Sequence, residues 1–202
     1  MKKQIKVTLI VIVAAIIAAA IIWYVMYLRG KEQDLLTPVG TRAEFIGDTD
    51  KYPTMLTAKG TQILNADGEQ VVLKGVMVPE SRSRYEEKKF NEDFYKDVFA
   101  KGGNAIRVPI SPVEYKNDDY YMWRYLDRIV TWAGENDNYV ILDWDYTGNP
   151  IDGSGDEMPD LDENPLDYSA EFWKNIADYF KNTPNVIFEL SLIHISEPTR
   201  LR

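Results

Sequence analysis

The sequence contains no cysteine and a single histidine, and its basic residues are outnumbered by its acidic ones. Without cysteine the chain has no thiol nucleophile, no thiolate ligand for a metal and no disulfide. Lys and Arg total 23 against 32 Asp and Glu, so the formal net charge of the 202 residues is -9. Because affinity for nucleic acid depends on clustered cations that release counterions, this balance argues against nucleic acid as a partner.

Charge is also missing from one long stretch near the N-terminus. Residues 7–28 are 22 consecutive residues without a charged side chain, and a helix with a rise of about 1.5 Å per residue would carry them across a hydrocarbon layer of about 30 Å. The apolar core of a cleaved signal peptide is shorter and ends at small residues, whereas the alanines 18–20 lie in the middle of this run. The sequence therefore predicts an uncleaved transmembrane anchor.

Basic residues flank this run unevenly. Lys2, Lys3 and Lys6 precede it, while only Arg29 and Lys31 follow closely. An excess of basic residues marks the cytoplasmic side of a membrane helix. We therefore expect a single-pass protein of the cell membrane whose remaining chain is extracellular.

The rest of the chain divides into a linker and a globular region. Residues 1–31 form the predicted stub and anchor, and residues 32–52 carry many charges without a regular period, which is typical of a tether. Beyond them, Asp67-Gly68 predicts a hairpin turn, and short apolar strands then alternate with amphipathic helices. The strands are predicted at 73–78, 105–110, 139–144 and 186–190, and the helices near 91–101, 119–135 and 169–182, the last with Ser169 as its N-cap.

These parallel β/α units are too few for a complete eight-stranded barrel. The globular region, residues 53–189, has 137 residues, whereas a barrel of this kind typically needs about 250. A doubly wound open sheet would fit the length, but Val-Pro-Glu-Ser at 78–81 stands where a Gly-rich phosphate loop would follow the first strand. The predicted fold class is α/β: the first half of a (β/α)8 TIM barrel, preceded by a transmembrane helix.

Four motifs, one at each predicted strand, add a family resemblance. They are Gly-Val-Met-Val at 75–78, Asn-Ala-Ile-Arg-Val-Pro at 104–109, Tyr-Val-Ile-Leu-Asp-Trp at 139–144 and Asn-Val-Ile-Phe-Glu-Leu at 185–190. In this order they resemble the first four strands of glycoside hydrolase family 5, the cellulase-like barrels. The resemblance implies hydrolysis of β-glucan or a related polysaccharide with retention of configuration, and it implies no cofactor. The arginine of the second motif, which braces the nucleophilic glutamate in that family, is matched by Arg107; a purely structural ion pair is the alternative.

The third strand departs from the family pattern. Where the family reads Asp-Trp-His, this chain reads Asp143-Trp144-Asp145, so a carboxylate replaces an imidazole that contacts substrate. Asp145 can hydrogen-bond a sugar hydroxyl, although a changed subsite or weakened activity is equally compatible with the substitution. Strand alternation places Trp144 on the side of the helices, so it is predicted to lie in the core. Tyr146 is the candidate for an exposed ring that stacks on a sugar.

Neither catalytic glutamate of the family is expected in this chain. The family's acid/base glutamate follows the fourth strand in Asn-Glu-Pro, and its nucleophile ends the seventh strand. We reject Glu197 as the acid/base because a run that the family lacks displaces it from the fourth strand. Residues 190–202 resemble the translation of a transposon-derived sequencing-library adapter, so we exclude them as an artefact and assign no chemistry to His194. The chain is expected to be an inactive fragment.

Two acidic features are interpreted as ordinary surface. Residues 152–163 place acidic or hydroxyl side chains at five positions of a calcium-loop template, but Glu157 stands where that loop requires glycine, so no metal site is predicted. Glu80, just beyond the first strand, is interpreted as an exposed acid at the barrel rim.

A second functional hypothesis stays open. The carboxylate of Asp145 at the usual histidine position is compatible with a non-catalytic, membrane-tethered protein that only binds carbohydrate. Such a protein would need an exposed groove with stacking aromatic rings, for which Tyr146 is the candidate. Native coding sequence beyond Glu189 separates the two hypotheses, because the enzyme must continue into Asn-Glu-Pro and a later strand-ending glutamate.

Overall fold

The computed structural model describes residues 13, 15–28, 48, 50–146, 148 and 164–190. Residues 1–37 and 38–202 form two separate compact units. In the first unit, residues 15–28 form helix α1. Among the described helices, none has both the length and the apolar character needed to cross a bilayer. The predicted stub and most of the predicted linker lie outside the described residues.

The second unit begins with two short antiparallel strands. β1 (Thr57–Lys59) pairs with β2 (Gln62–Leu64). The predicted turn at Asp67-Gly68 follows, and Gly68 has the positive φ of +79° that favours glycine there. The second arm of the predicted hairpin is a single bridge between Leu64 and Gln70.

The main sheet has four parallel strands joined by helical crossovers. Its strands are hydrogen-bonded in chain order, from the first to the fourth. The elements are β3 (Gly75–Met77), α2 (Ser81–Glu86), α3 (Glu92–Phe99), β4 (Ala105–Ile110), α4 (Pro112–Lys116), a π-helical segment (Met122–Leu126), α5 (Asp127–Gly134), β5 (Tyr139–Trp144), α6 (Pro165–Phe180) and β6 (Val186–Glu189). Gly75 is required where β3 meets β4, because a Cβ there would collide with the carbonyl oxygen of Ala105. This arrangement confirms the α/β class and corresponds to part of a β/α barrel.

The core lies between one face of the sheet and the helices. Alternate residues of β4 and β5 form this helix-facing side, and none of them is more than 2% exposed: Ile106, Val108, Ile110, Val140, Leu142 and Trp144. The ring of Trp144 stacks on Phe172 of α6 with 4.0 Å between centroids. The prediction that Trp144 belongs to the core is confirmed.

Two short helices and one irregular segment were not predicted. Both short helices are stabilised by side-chain caps: Glu80 accepts the amides of Arg82 and Ser83 at the start of α2, and Ser111 accepts the amide of Glu114 at the start of α4. Local capping of this kind produces helices too short for an apolar period to show. The π-helical segment occupies the first part of the single helix predicted at 119–135.

The last helix begins earlier than predicted. Asn164, and not Ser169, is its N-cap, because the Asn164 side chain accepts the amides of Leu166 and Asp167. Pro165 follows at the first helical position. Proline is suited to this position because an N–H there would have no acceptor within the helix. Ser169 lies inside the helix and donates its hydroxyl to the carbonyl of Leu166.

Candidate active site

Parallel pairing brings three charged side chains together at one end of the sheet. Pro109, Asp143 and Glu189 are aligned across β4, β5 and β6, and Arg107 lies beside Ile141, two residues closer to the strand starts. Arg107, Asp143 and Glu189 alternate with the apolar residues that face the helices, so they lie on the opposite face. We call these three residues the strand-end cluster. In β/α barrels and open α/β sheets, ligands bind at the carboxyl ends of the strands.

Arg107 contacts both carboxylates of the cluster. Its Nε donates to Oε2 of Glu189 at 2.7 Å, and its Nη2 donates to Oε1 of the same residue at 3.2 Å. Nη2 also lies 3.0 Å from Oδ2 of Asp143. The hydrogen bond to Glu189 raises the pKa of Arg107. Burial opposes this rise, and the negative charge of Asp143 adds to it. A two-point contact of this kind fixes the plane of a carboxylate as well as its charge.

Asp143 is the most buried member of the cluster. Its side chain is 0% exposed, and neither of its carboxyl oxygens accepts a hydrogen bond from the part of the chain that the structure describes. Burial raises the pKa of Asp143 to about 6; Arg107 opposes this rise, and the charges of Glu189 and Asp145 add to it. The ion contact with Arg107 is therefore not enough to offset removal from water. The Asp143 carboxyl can hold or release a proton near pH 6.

The cluster is suited to support a reaction more than to carry it out. Glu189 is already engaged at both oxygens by Arg107, and Asp143 is enclosed. Retaining glycosidases need two carboxyl groups about 5 to 5.5 Å apart, one to protonate the leaving oxygen and one to attack the sugar. A guanidinium with fixed partners instead holds nearby carboxylates in a defined orientation.

Asp145 and Tyr146 follow directly after β5. The amide of Asp145 donates to the carbonyl of Ile110 at 3.0 Å, which extends the pairing of the two strands, and its half-buried side chain contributes to the raised pKa of Asp143. Tyr146 is only 2% exposed and belongs to the same apolar cluster as Trp144. The expectation of an exposed stacking ring at Tyr146 is therefore wrong. That either residue contacts a sugar stays a prediction.

Glu80 is not the exposed acid that the sequence suggested. Its two carboxyl oxygens accept the amides of Arg82 at 3.0 Å and Ser83 at 2.7 Å. One of them also accepts the hydroxyl of the fully buried Tyr121. The amides of a first helical turn need acceptors, and Glu80 supplies one for α2 while it ties that helix to the aromatic core.

Sequence reasoning missed Asp143 and Glu189 as partners of Arg107. A signal for them was present, because each lies at the end of a parallel strand and on the face opposite the helices by simple alternation. Arg107 was recognised from its motif, and its expected contact was with a glutamate further along the chain. The structure shows that its described partners are Glu189 and Asp143.

Other sequence predictions lie outside the described residues. These are the loop 152–163 and the tail 191–202, which includes His194 and Glu197. Within the described ranges, no three acidic or histidine side chains are grouped so that they could hold a metal ion.

Comparison with known proteins adds a family and relatives. Residues 64–191, more than half of the chain, match the family described as Cellulase (glycosyl hydrolase family 5). Endoglucanase A of Butyrivibrio fibrisolvens is 28% identical over 156 residues, which cover 69% of this chain and 32% of that protein. Endoglucanase C of Evansella cellulosilytica is 25% identical over 190 residues, which cover 81% of this chain and 22% of that protein. The chain thus spans about a third or less of the length of these curated relatives.

A solved structure shares the fold. The β-glucanase of Saccharophagus degradans superimposes with a TM-score of 0.64 at 24% sequence identity, and the match covers 72% of this chain and 44% of that one. The same β-glucanase has also been solved in complex with cellotetraose.

Proposed function

Because the chain belongs to glycosyl hydrolase family 5, we propose that it is the N-terminal part of an enzyme that hydrolyses β-glucan or a related polysaccharide in the manner of an endoglucanase. The endoglucanase relatives and the cellotetraose complex of a β-glucanase of the same fold support this substrate class. The observation that carries the proposal is the two-point contact of Arg107 with Glu189 at the strand ends.

The proposed reaction retains the anomeric configuration. One carboxyl group protonates the leaving oxygen, a second attacks the sugar to form a glycosyl-enzyme, and water then releases the product. Arg107 supplies a permanent positive charge that orients the carboxylates at this rim through paired hydrogen bonds. We assign neither Asp143 nor Glu189 to the reacting pair, because one is enclosed and the other is held by Arg107. The reacting pair belongs to the barrel beyond the fourth strand, and the 202-residue chain is itself inactive.

Two assays test this proposal. The first measures release of reducing ends from soluble β-glucan by the 202-residue chain; no turnover above a no-protein control is expected, and turnover would overturn its inactivity. The second determines the native coding sequence beyond Glu189 and assays the extended protein. We expect Asn-Glu-Pro and a later strand-ending glutamate, and replacement of either glutamate by glutamine should lower the rate by a factor of about 100 or more. An extension that lacks both glutamates and binds glucan without cleaving it would instead establish the carbohydrate-binding alternative.

We also propose that residues 1–31 attach the protein to the cell membrane with residues 32–190 outside. The uncharged run at 7–28 supports this, as does the exposure of large apolar side chains on α1 such as Trp23 and Met26, which are 69% and 67% accessible. Extraction of membranes with alkaline carbonate should leave the chain in the pellet. Ile17→Lys, which places a charge inside the run at a cost of about 3 kcal/mol, should release a large fraction, whereas Gln4→Lys outside the run should not. Release of the unmodified chain would exclude the anchor.

A further inference from the structure

A cavity of about 700 Å³ lies on the helical side of the sheet, between α4, the π-helical segment and α6. Its lining shares no residue with the strand-end cluster. The volume is within the range of about 300 to 1,000 Å³ that is typical of small-ligand sites. The proposed hydrolytic reaction makes no use of this space.

Aromatic rings supply the apolar part of the lining. Tyr115, Trp123 and Tyr168 each come from a different helical element around the cavity. Tyr115 is held edge-on against the buried Phe172, with 4.9 Å between centroids and an angle of 89°. The partly positive C–H hydrogens on the flat face of a pyranose pack well against the electron-rich face of a fixed ring. The lining therefore offers stacking surfaces of the kind that a sugar chain uses.

The polar groups at the rim favour a neutral ligand. Asp119, Asn175 and Asp178 are exposed at the edge of the cavity, and Lys116 is its one lining cation among the described residues. Carboxylates and amides accept or share hydrogen bonds with sugar hydroxyls. Two of the three lining carboxylates are paired with a neighbouring cation, so the charges around the rim nearly cancel and give an ionic polymer no electrostatic advantage. The ligand that fits both properties is a neutral saccharide.

The cavity is long enough for more than one sugar ring. Tyr168 and Tyr179 both line it and are eleven positions apart on α6, a separation of about 16 Å along the helix axis. We infer that this cavity is a second saccharide-binding site, which holds a short stretch of a neutral β-linked glucan without cleaving it. The choice of β-linked glucan rests on the proposed function; the neutral and elongated character of the ligand does not.

Fluorine NMR tests the inference, with cellotetraose as the probe. The sample is the full 202-residue chain, labelled with 5-fluorotryptophan and kept in solution by mild detergent. The chain has five tryptophans, so single Trp→Phe variants assign each resonance. Cellotetraose should shift the Trp123 resonance and leave the buried Trp144 resonance in place. Trp123→Ala should weaken binding about tenfold, since one stacking face is lost.

Matched variants separate this site from the strand-end cluster. Trp173→Phe changes a tryptophan on α6 that packs on Phe188 and does not line the cavity, so it should leave the affinity unchanged. Arg107→Met should also leave it unchanged. If circular dichroism shows that Trp123→Ala does not fold, two milder variants replace it. Asn175→Ala, at an exposed position, should weaken binding. The conservative Trp123→Phe should change the affinity by less than threefold.

Three outcomes would overturn the inference. They are a Trp123 resonance that does not move in the folded chain, binding that survives both Trp123→Ala and Asn175→Ala, and binding that Arg107→Met abolishes. Equal affinity for the anionic polymer polygalacturonate would overturn the preference for a neutral ligand. The proposed hydrolysis is tested by turnover of the extended protein, so either proposal can fail while the other stands.

Discussion

The two faces of the parallel sheet follow different rules. The face toward the helices carries apolar side chains that are almost completely buried, and Trp144 stacks on Phe172 there. The opposite face carries Arg107, Asp143 and Glu189, which depend on one another for compensation of charge. The first face contributes stability through burial of apolar surface, while the second gathers charged groups at the strand ends, where barrel active sites form. A substitution should therefore act mainly on packing on one face and mainly on protonation on the other.

The largest effect is expected from a cavity on the helix-facing side. Leu142 is 0% exposed, and Leu142→Ala should lower the free energy of unfolding by about 2 to 5 kcal/mol. Its neighbour Ile141 lies on the opposite face and is half-buried, so Ile141→Ala should cost clearly less. Urea unfolding followed by circular dichroism measures both. Equal losses would mean that the two faces are packed alike.

A pH-dependent effect is expected on the face of the strand-end cluster. The pKa of Asp143 is raised from 3.8 to about 6 in the folded chain, so the native state binds this proton more tightly than the unfolded state does. The stability that the protonated carboxyl contributes is complete below pH about 4 and is lost as the pH rises through about 6. Asp143→Asn keeps a neutral group at every pH. Its unfolding free energy, relative to the unmodified chain, should therefore rise by up to about 3 kcal/mol between pH 4 and pH 7.

Carbon NMR of the Asp143 carboxyl gives an independent measure of the same titration. Because Arg107 lowers the pKa of Asp143, Arg107→Met should move the titration midpoint upward. A midpoint near the ordinary value for aspartate, or a midpoint that Arg107→Met leaves in place, would contradict a desolvated carboxyl opposed by a guanidinium.

A smaller effect is expected where the aromatic core meets the rim. Tyr121 is fully buried and donates its hydroxyl to Glu80, the cap of α2. Tyr121→Phe keeps the ring but removes a hydrogen bond to a charged group, which should cost about 1.5 to 3 kcal/mol. Tyr120→Phe is the matched control, since Tyr120 is 43% exposed, and it should change stability by less than about 0.5 kcal/mol. Thermal unfolding of both variants side by side distinguishes a bonded hydroxyl from a merely adjacent one.

The helix-facing side could be predicted from the sequence because its signal is local. The bounds of β4 and β5 agree with the apolar alternation at 105–110 and 139–144 residue by residue. The strand-end cluster gives no such signal, since Arg107 and Glu189 are 82 positions apart and meet only through the register of the sheet. Arg107 was found from a motif and not from its partners. The caps at Glu80 and Asn164 were missed because one polar side chain can cap a helix or lie on a surface, and the choice depends on the local backbone.

The smallest effect concerns the start of α6, the helix that covers Trp144. Asn164 caps it, so Asn164→Ala should lower the unfolding free energy by about 1 kcal/mol and speed hydrogen exchange at the amides of Leu166 and Asp167. Ser169→Ala removes a half-buried hydroxyl that bonds only within the helix and should have an effect within about 0.5 kcal/mol. If Ser169→Ala proved the more damaging, α6 would begin where the apolar period alone places it. Tyr168 would then lie outside the helix, and the cavity would lose one of the rings that define it.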